Sequence, residues 1–316
     1  MIAWILYLKS RVGALLMYRR VYRNYLAVVT HILANKYPVV AKLRNSSGFL
    51  TLNNHSDASA ITPLLMNREI SYNIREDIVT ICPHLETGTK PVVLRFSGAI
   101  SHGDIPAIFG SLVYQSLPVR GRPVVDIGAG IADSSIYFAH RGATTVIGIE
   151  PFPAVYQIGK KNVEFNNLSN RITLVLAGCG AKSGHVRVDP YANTQISTYL
   201  SNIIDGTRIP LLTLENIIDL YNIGFDDPLL KMDCEGWEYD IVLTASSDIL
   251  RKFSHILIEY HYGYENLKDK LKESGFQVSV SRPIYDPLLG NPYRRPDAGR
   301  FQRRKLFIGY LHARRK

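Results

Sequence analysis

The chain has 316 residues and a formal net charge of +10, with 46% hydrophobic and 20% charged residues. This length allows one large domain or two modest ones, and the composition is typical of a globular protein with a buried core. A mainly disordered or fibrous chain is therefore excluded. Three widely spaced cysteines, Cys82, Cys179 and Cys234, do not form a disulfide framework and indicate a reducing compartment, so we expect a cytoplasmic protein.

The basic charge is concentrated at the two ends of the chain. Residues 1–45 carry eight basic and no acidic residues, and residues 291–316 carry nine basic residues and a single acid, Asp297. Such a distribution predicts a surface for anionic lipid or for a phosphate-bearing partner. A solvated face without a partner is the alternative.

The N-terminal segment is predicted to be an amphipathic helix. The apolar run Ile2–Leu8 is too short to cross a membrane, and its charges follow the run, which is the wrong order for a secretory signal. Apolar residues recur every three or four positions over 2–35, interrupted at Arg19. We expect this helix to pack on the rest of the protein; the second interpretation is peripheral contact with the inner membrane face.

Residues 46–118 predict a small α+β region without a recognisable motif. Short β-like runs occur at Phe49–Leu52, Ile78–Ile81 and Val92–Phe96, among Gly, Pro and Asn residues. The proline- and arginine-rich segment 118–123 then marks a boundary. The sequence therefore predicts an N-terminal region over 1–118 and a second domain over 119–316.

The second domain shows regular alternation of strands and helices. The predicted strands are Val124–Ile127, Thr144–Ile149, Ile172–Leu176, Leu229–Met232, Ile256–Tyr260, Phe276–Val280 and Lys305–Leu311. One predicted helix ends near Arg141, and three others cover Ala154–Asn166, Leu214–Leu220 and Leu267–Ser274. Residues 181–212 contain an additional polar, β-like stretch. This alternation predicts a doubly wound, mostly parallel α/β sheet. The last two strands lack a helix between them, which favours an antiparallel pair at the sheet edge.

A glycine motif follows the first strand of this domain. Asp126 precedes Gly128-Ala129-Gly130, and Glu150 stands at the end of the next strand. A strand that runs into Gly-x-Gly and a helix presents backbone N–H groups to a ligand, and an acid on the second strand can accept hydrogen bonds from ribose hydroxyls. Asp133 stands where the dinucleotide motif has its third glycine, which disfavours an NAD-dependent dehydrogenase. The pattern predicts a nucleoside site; a turn without a ligand is the alternative.

Acidic residues follow the fourth and fifth strands. The run from Leu230 to Glu238 reads Leu-Lys-Met-Asp-Cys-Glu-Gly-Trp-Glu, so Asp233 stands at the carboxyl end of a strand, where α/β sheets bind ligands. Glu259 and His261 share a face at the neighbouring strand end, and either is a candidate partner for Lys231. Glu235 and Glu238 are predicted to lie in the first turn of a helix, and for Glu238 capping is as good an interpretation as catalysis.

These residues together resemble FkbM-type methyltransferases over roughly residues 119–312. The resemblance rests on the stretch Val124–Asn167, the Lys231-x-Asp233-x-Glu235-Gly236-x-Glu238 run and Glu259-x-His261. It implies a Rossmann-like class I fold, S-adenosylmethionine as the cofactor, and methylation of hydroxyls. The chain departs from the family at residues 130–133, where many members read Asn-Ile-Gly, and at residues 177–182, where an acid often contacts the adenine.

The resemblance and the spacing together give a predicted site. We expect cofactor contacts from residues of the glycine turn and of the two following strand ends: Asp126, Gly128, Ala129, Gly130, Asp133, Ser134, Glu150, Pro151 and Cys179. A hydroxyl acceptor must lose a proton, and Asp233 is the first candidate base, with His261 second. Glu235 is expected to bind cofactor or orient the acceptor. No residue is assigned as a metal ligand.

The expected reaction is O-methylation of a glycan, a lipid-linked sugar or a small metabolite. The main alternative is a tRNA or other RNA methyltransferase that uses the basic termini and the Asn162/Asn166 pattern. Base-methylating enzymes usually carry Asn-Pro-Pro-Tyr or a similar run where this chain has Asp233-Cys-Glu-Gly236, which disfavours that alternative. A binding protein without catalytic activity is a third class, and the intact glycine turn, Glu150 and Asp233 argue against it.

Overall fold

A computed structural model describes most of the chain. It covers residues 15–44, 48–53, 55–66, 70–73, 76–82, 93–98, 104–191, 206–223, 227–282, 284–285 and 307–316. The predictions for residues 2–14 and 305–306 and for most of the basic C-terminal segment lie outside these ranges. The chain divides into two compact units, residues 1–112 and 113–316.

The first unit is a mixture of short helices and small antiparallel sheets. Its helices are α1 (15–21), α2 (Tyr25–Leu33) and α3 (His55–Met66), followed by a π-helical turn at Pro106–Gly110. Its strands are β1 (Val39–Lys42), β2 (Phe49–Leu52), β3 (Ile70–Asn73), β4 (Ile78–Ile81) and β5 (Leu94–Ser97). β1 pairs with β2, and β3, β4 and β5 form a separate sheet.

The predicted N-terminal helix is interrupted in the structure. Residues 22–24 separate α1 from α2, and Tyr22 forms an isolated antiparallel bridge with Leu43. Tyr22 is fully buried, and its hydroxyl lies 2.9 Å from the hydroxyl of Thr62. Within residues 15–33 the apolar periodicity is therefore divided between two helices, α1 and α2.

The second unit contains the predicted doubly wound sheet. Its strands are β6 (Val124–Ile127), β7 (Val146–Glu150), β8 (Ile172–Leu176), β9 (Gly178–Cys179), β10 (Gly184–Val188), β11 (Thr207–Leu212), β12 (Leu229–Met232), β13 (His255–Tyr260), β14 (Phe276–Val280), β15 (Ile284–Tyr285) and β16 (Phe307–Arg315). Its helices are α4 (Asp133–His140), α5 (Pro153–Phe165), α6 (Leu214–Tyr221), α7 (Glu238–Thr244), α8 (Ser247–Leu250) and α9 (Glu265–Glu273). The main sheet has the order β14-β16-β13-β12-β6-β7-β8, with β15 paired to β16 off this path.

The strand order places a topological switch between β6 and β12. From β6 the chain moves outward through β7 and β8, and it then returns to add β12 and β13 on the other side, all in parallel. Ligands of open α/β sheets bind beyond the carboxyl ends of the strands at such a point. The glycine motif follows β6 and the acidic run follows β12, so the sheet brings the two motifs to one crevice.

The antiparallel end of the sheet differs from the sequence prediction in one respect. β16 pairs antiparallel with both β13 and β14, so the last strand of the chain lies inside the sheet and β14 occupies the edge. Residues Leu311 and Ala313 of β16 are fully buried, which explains why this strand continues to Arg315 rather than ending at Leu311. Among the described residues, no helix is both long enough and apolar enough to span a membrane.

Candidate active site

The glycine loop, residues 128–132, packs directly against the backbone that follows β12. Gly128 and Gly130 have positive φ angles of 76° and 54°. A Cβ atom on Gly128 would lie 1.8 Å from the carbonyl oxygen of Asp233, a distance that no side chain tolerates. Glycine is therefore required at position 128 both for its backbone conformation and for the close approach of the two loops.

Asp126 is the charged centre beneath this loop. Its side chain is fully buried, and Oδ2 accepts hydrogen bonds from the hydroxyls of Ser134 and Ser135 at 2.7 and 2.6 Å. Lys231 lies opposite it in the β6–β12 register, which brings Nζ within 3.0 Å of Oδ1. The carboxylate thus ties the start of α4 to the sheet. The predicted direct contact of Asp126 with a cofactor stays a prediction.

Lys231 joins the two loops rather than pairing with the acids of β13. Its Nζ also donates a hydrogen bond to the carbonyl of Gly128 at 2.9 Å. Burial alone lowers the pKa of Lys231, but the Asp126 and Asp233 carboxylates outweigh it and raise the pKa above its usual value. The ammonium therefore stays charged, and the sequence-based pairing of Lys231 with Glu259 or His261 is wrong.

Glu150 holds the other side of the glycine loop. At the end of β7 its Oε2 accepts from the N–H of Gly130 and its Oε1 from the N–H of Phe152, both at 2.9 Å. Burial raises the pKa of Glu150 to about 7, although both backbone bonds oppose the shift. Each carboxylate oxygen keeps a further acceptor position, so ribose hydroxyls remain compatible with this residue.

The other predicted cofactor residues lie around the loop and differ in their solvent exposure. Ala129 is fully buried and donates its N–H to the carbonyl of Ile149, while Asp133, the first residue of α4, accepts a hydrogen bond from the N–H of Ser134. Pro151 directly follows β7 and is partly exposed. Cys179 belongs to the hydrophobic core, and burial raises the pKa of its thiol to about 12, so any contact it makes there is as an uncharged group.

Four side chains at the ends of β12 and β13 form a second cluster, the carboxylate mouth: Asp233, Glu235, Glu259 and His261. The side chains of Asp233 and Glu235 are 24% and 43% exposed. His261 Nε2 lies 3.8 Å from Asp233 Oδ1 and 3.6 Å from Glu235 Oε2. Glu235 has a φ of 55° and lies in the turn before α7, so the prediction that it belongs to the first helical turn is wrong.

Glu238 fixes the orientation of the His261 ring through a hydrogen bond. Its Oε1 lies 3.0 Å from His261 Nδ1, and its Oε2 accepts from the N–H of Gly236 at 2.8 Å. Burial alone lowers the pKa of His261, but the neighbouring carboxylates, Glu238 foremost, raise it well above its usual value. A histidine that holds its proton is a poor general base, so Asp233 is the better placed of the two predicted bases.

Tyr114 and Asn162 support the site, and the sequence analysis did not assign these roles. The Tyr114 hydroxyl donates to Asp233 Oδ2 at 3.4 Å, and Lys231 Nζ lies 5.5 Å from the centre of its ring. Asn162 in α5 is fully buried and donates to the carbonyl of Ile131 at 2.9 Å, which anchors the glycine loop. No local pattern marks Tyr114, because it reaches the site only through tertiary packing.

A family model agrees with this arrangement of motifs. Residues 126–278 match the methyltransferase FkbM domain, a range that begins at Asp126 and includes both clusters. The match is confined to this range, which is slightly less than half of the chain. The resemblance stated from the sequence is therefore confirmed, as are the Rossmann-like fold, S-adenosylmethionine-dependent methyltransferase activity and the cofactor itself.

Similarity to whole proteins of known structure is remote. No curated protein matches this methyltransferase significantly. The solved structure of precorrin-6y C5,15-methyltransferase from Geobacter metallireducens GS-15 is 14% identical, covers 65% of this chain and 87% of its own, and has a TM-score of 0.36. TrmK of M. capricolum in complex with S-adenosyl-homocysteine is 14% identical, covers 65% of this chain and 67% of its own, and has a TM-score of 0.40. At such low similarity, neither structure identifies the acceptor of this chain.

The residues around the glycine loop fit the cofactor of this methyltransferase. S-adenosylmethionine supplies a methyl group on a positively charged sulfur. Gly128 and Gly130 bring backbone close to the crevice, and Glu150 offers acceptor positions for hydroxyls. The carboxylate mouth lies next to the loop through the contact of Gly128 with the Asp233 backbone. Asp233 is therefore accessible from solvent at a position directly beside the glycine loop.

Proposed function

We propose that this methyltransferase methylates a hydroxyl of a glycan, a lipid-linked sugar or a small polyhydroxylated metabolite, with Asp233 as the general base. The observation that carries the proposal is the partly exposed pair of carboxylates, Asp233 and Glu235, at the end of β12. A hydroxyl needs a proton acceptor within hydrogen-bond reach when it becomes a nucleophile, and a positioned carboxylate supplies it. The remaining oxygens can accept hydrogen bonds from neighbouring hydroxyls of a polyol.

Charge at the mouth supports a neutral acceptor over nucleic acid. The carboxylate mouth contains three acids, and buried Glu238 lies behind them. A phosphate backbone approaching these groups would be repelled, whereas sugar hydroxyls would be bound. Only the basic termini still favour the tRNA alternative. Asn162, which also favoured it, has a structural role, because its side chain donates a hydrogen bond to the carbonyl of Ile131.

The acceptor class is testable with labelled cofactor. Purified full-length protein and S-adenosylmethionine carrying a tritiated methyl group are incubated with cell extract, which is then separated into glycan, lipid, small-molecule and RNA fractions. We expect alkali-stable label in a hydroxyl-bearing fraction, and none with Asp233→Asn. Label recovered from tRNA as a base methyl group would contradict the proposal and establish the RNA alternative.

We further propose that the first unit contacts anionic lipid at the cytoplasmic face of the membrane. In and around α1 and α2, the apolar side chains of Leu15, Leu16, Leu26 and Leu33 are exposed. The exposed Arg19, Arg20 and Arg23 lie on the same segment, which has no acid. Apolar side chains inserted at the headgroup boundary and basic residues near it, each contributing about 1 kcal/mol, support peripheral binding.

Vesicle sedimentation tests this contact. We expect the full-length protein to sediment with vesicles containing phosphatidylserine, and Leu26→Ser combined with Leu33→Ser to reduce the bound fraction. Leu220→Ser is the matched control, because Leu220 is equally exposed but lies in the second unit. Equal sedimentation of the double variant and the wild type would show that these helices do not bind lipid.

A further inference from the structure

Three side chains of the carboxylate mouth are arranged like the ligands of a metal ion. One oxygen of Asp233, one oxygen of Glu259 and one imidazole nitrogen of His261 lie within 4.8 Å of one another. Atoms bound to a single cation at about 2.0–2.2 Å stand about 3–4.4 Å apart. The 3.8 Å between His261 Nε2 and Asp233 Oδ1 lies within this range, and no two of the three ligand atoms are farther apart than 4.8 Å.

The orientation of His261 is a second observation, and it depends on Glu238, a residue outside this trio. Its ring is buried, and Glu238 holds Nδ1 at 3.0 Å, which leaves Nε2 facing Asp233 and Glu235 beyond hydrogen-bond distance, at 3.8 and 3.6 Å. Histidines that bind metals through one nitrogen commonly donate the other N–H to a carboxylate, which fixes the ring and raises its basicity. Glu238 occupies that position here and is itself fully buried.

We infer that Asp233, Glu259 and His261 Nε2 form a divalent-cation site, with Glu238 as its positioning residue. Two carboxylates and one imidazole suit Mn²⁺ or Mg²⁺ better than the thiolate-preferring metals. The cation takes the place of the proton on Nε2, while Nδ1–H continues to donate to Glu238.

The cation would act on the same acceptor as the proposed function, and this part of the inference rests on that function. A hydroxyl bound to a divalent cation loses its proton more readily, because the cation stabilises the oxygen's negative charge. The O–H electron pair stays on the oxygen, and the proton passes to the carboxylate oxygen of Asp233 that the cation does not bind. The site would thus lower the basicity required of Asp233 and would fix the position of the acceptor oxygen.

Direct binding of Mn²⁺ to the chelator-treated full-length protein tests the site without any acceptor. We expect one bound ion by calorimetry, displaced by excess Mg²⁺, and a pulsed electron paramagnetic resonance spectrum that shows coupling to one imidazole nitrogen. Glu259→Gln should weaken Mn²⁺ binding at least about tenfold, and Glu238→Gln by about 10–100-fold with loss of the nitrogen coupling. Glu235→Gln, outside the trio, should change the affinity less than about threefold.

Binding of S-adenosyl-homocysteine by each variant separates loss of the site from loss of the fold. The wild-type spectrum decides the matter even where a variant does not fold: no bound Mn²⁺, or bound Mn²⁺ without nitrogen coupling, would overturn the inference. Mn²⁺ binding with label only in RNA would leave the cation site intact and refute the proposed acceptor. Hydroxyl methylation that proceeds unchanged in protein shown to bind no metal would refute the site and leave the function in place.

Discussion

The two halves of the crevice differ in how deeply their charged side chains are buried and how tightly the protein holds them. On the glycine-loop side, Asp126, Glu150 and Lys231 are buried, and each contacts two or more protein groups. In the carboxylate mouth, Asp233 and Glu235 are partly exposed, and their contacts with His261 are longer than hydrogen bonds. The glycine-loop side is therefore preorganised by the sheet itself, whereas the mouth keeps its acids accessible to solvent.

The most sensitive test of this contrast is Asp233→Asn. The substitution keeps the shape of the side chain and removes its basicity, so we expect methyl transfer to fall by about 10²–10⁴-fold. Calorimetry should find S-adenosyl-homocysteine affinity within a few fold of the wild type, because the loop bonds are unchanged. A variant that turns over at a near-normal rate would move the base elsewhere, with His261 the next residue to change.

On the buried side, Lys231→Met should lower the free energy of unfolding in addition to any effect on catalysis. It leaves the Asp126 carboxylate buried without its counter-charge, and breaking such a pair costs about 3–5 kcal/mol. Urea unfolding measures the loss. Lys160→Met, at an exposed position of α5, should have little effect. Equal stability of the two variants would mean that the Asp126–Lys231 pair is not important for the fold.

Glu150 makes the free energy of unfolding depend on pH. Its pKa in the folded protein is about 7, above the ordinary value of 4.5, so the protonated form is favoured by folding. The stabilisation is complete below pH 4.5 and is lost as the pH rises through about 7, a total of about 3 kcal/mol. Unfolding free energies of the wild type, compared with Glu150→Gln at each pH, should show this decline. A constant difference between the two proteins would contradict it.

The contact between the two halves can be tested with a pair of glycines. Gly128→Ala and Gly121→Ala both place a Cβ at a positive φ, of 76° and 73°, but only the first meets the Asp233 carbonyl, while nothing lies within 4 Å of the second. We expect Gly128→Ala to lose a further 1–3 kcal/mol or so through the clash. Thermal unfolding of both variants gives the difference. Similar melting temperatures would show that the loops separate at little cost.

Local patterns in the sequence determined the fold class and the position of the site. The strands β6, β8, β12 and β14 begin and end at the predicted residues, because their apolar patterns and their flanking turns are both local features of the sequence. The glycine motif and the acidic run were likewise visible, since both follow strands whose carboxyl ends must meet at one edge.

Partnerships between distant residues were decided only by the tertiary structure. Lys231 pairs with Asp126 because β12 lies beside β6 in register, and nothing in either segment specifies that neighbour. Tyr114 reaches Asp233 across 119 positions of the chain, and the last strand enters the sheet between β13 and β14. Periodicity reports which face of an element is buried, but the partner on that face depends on how all the elements pack together.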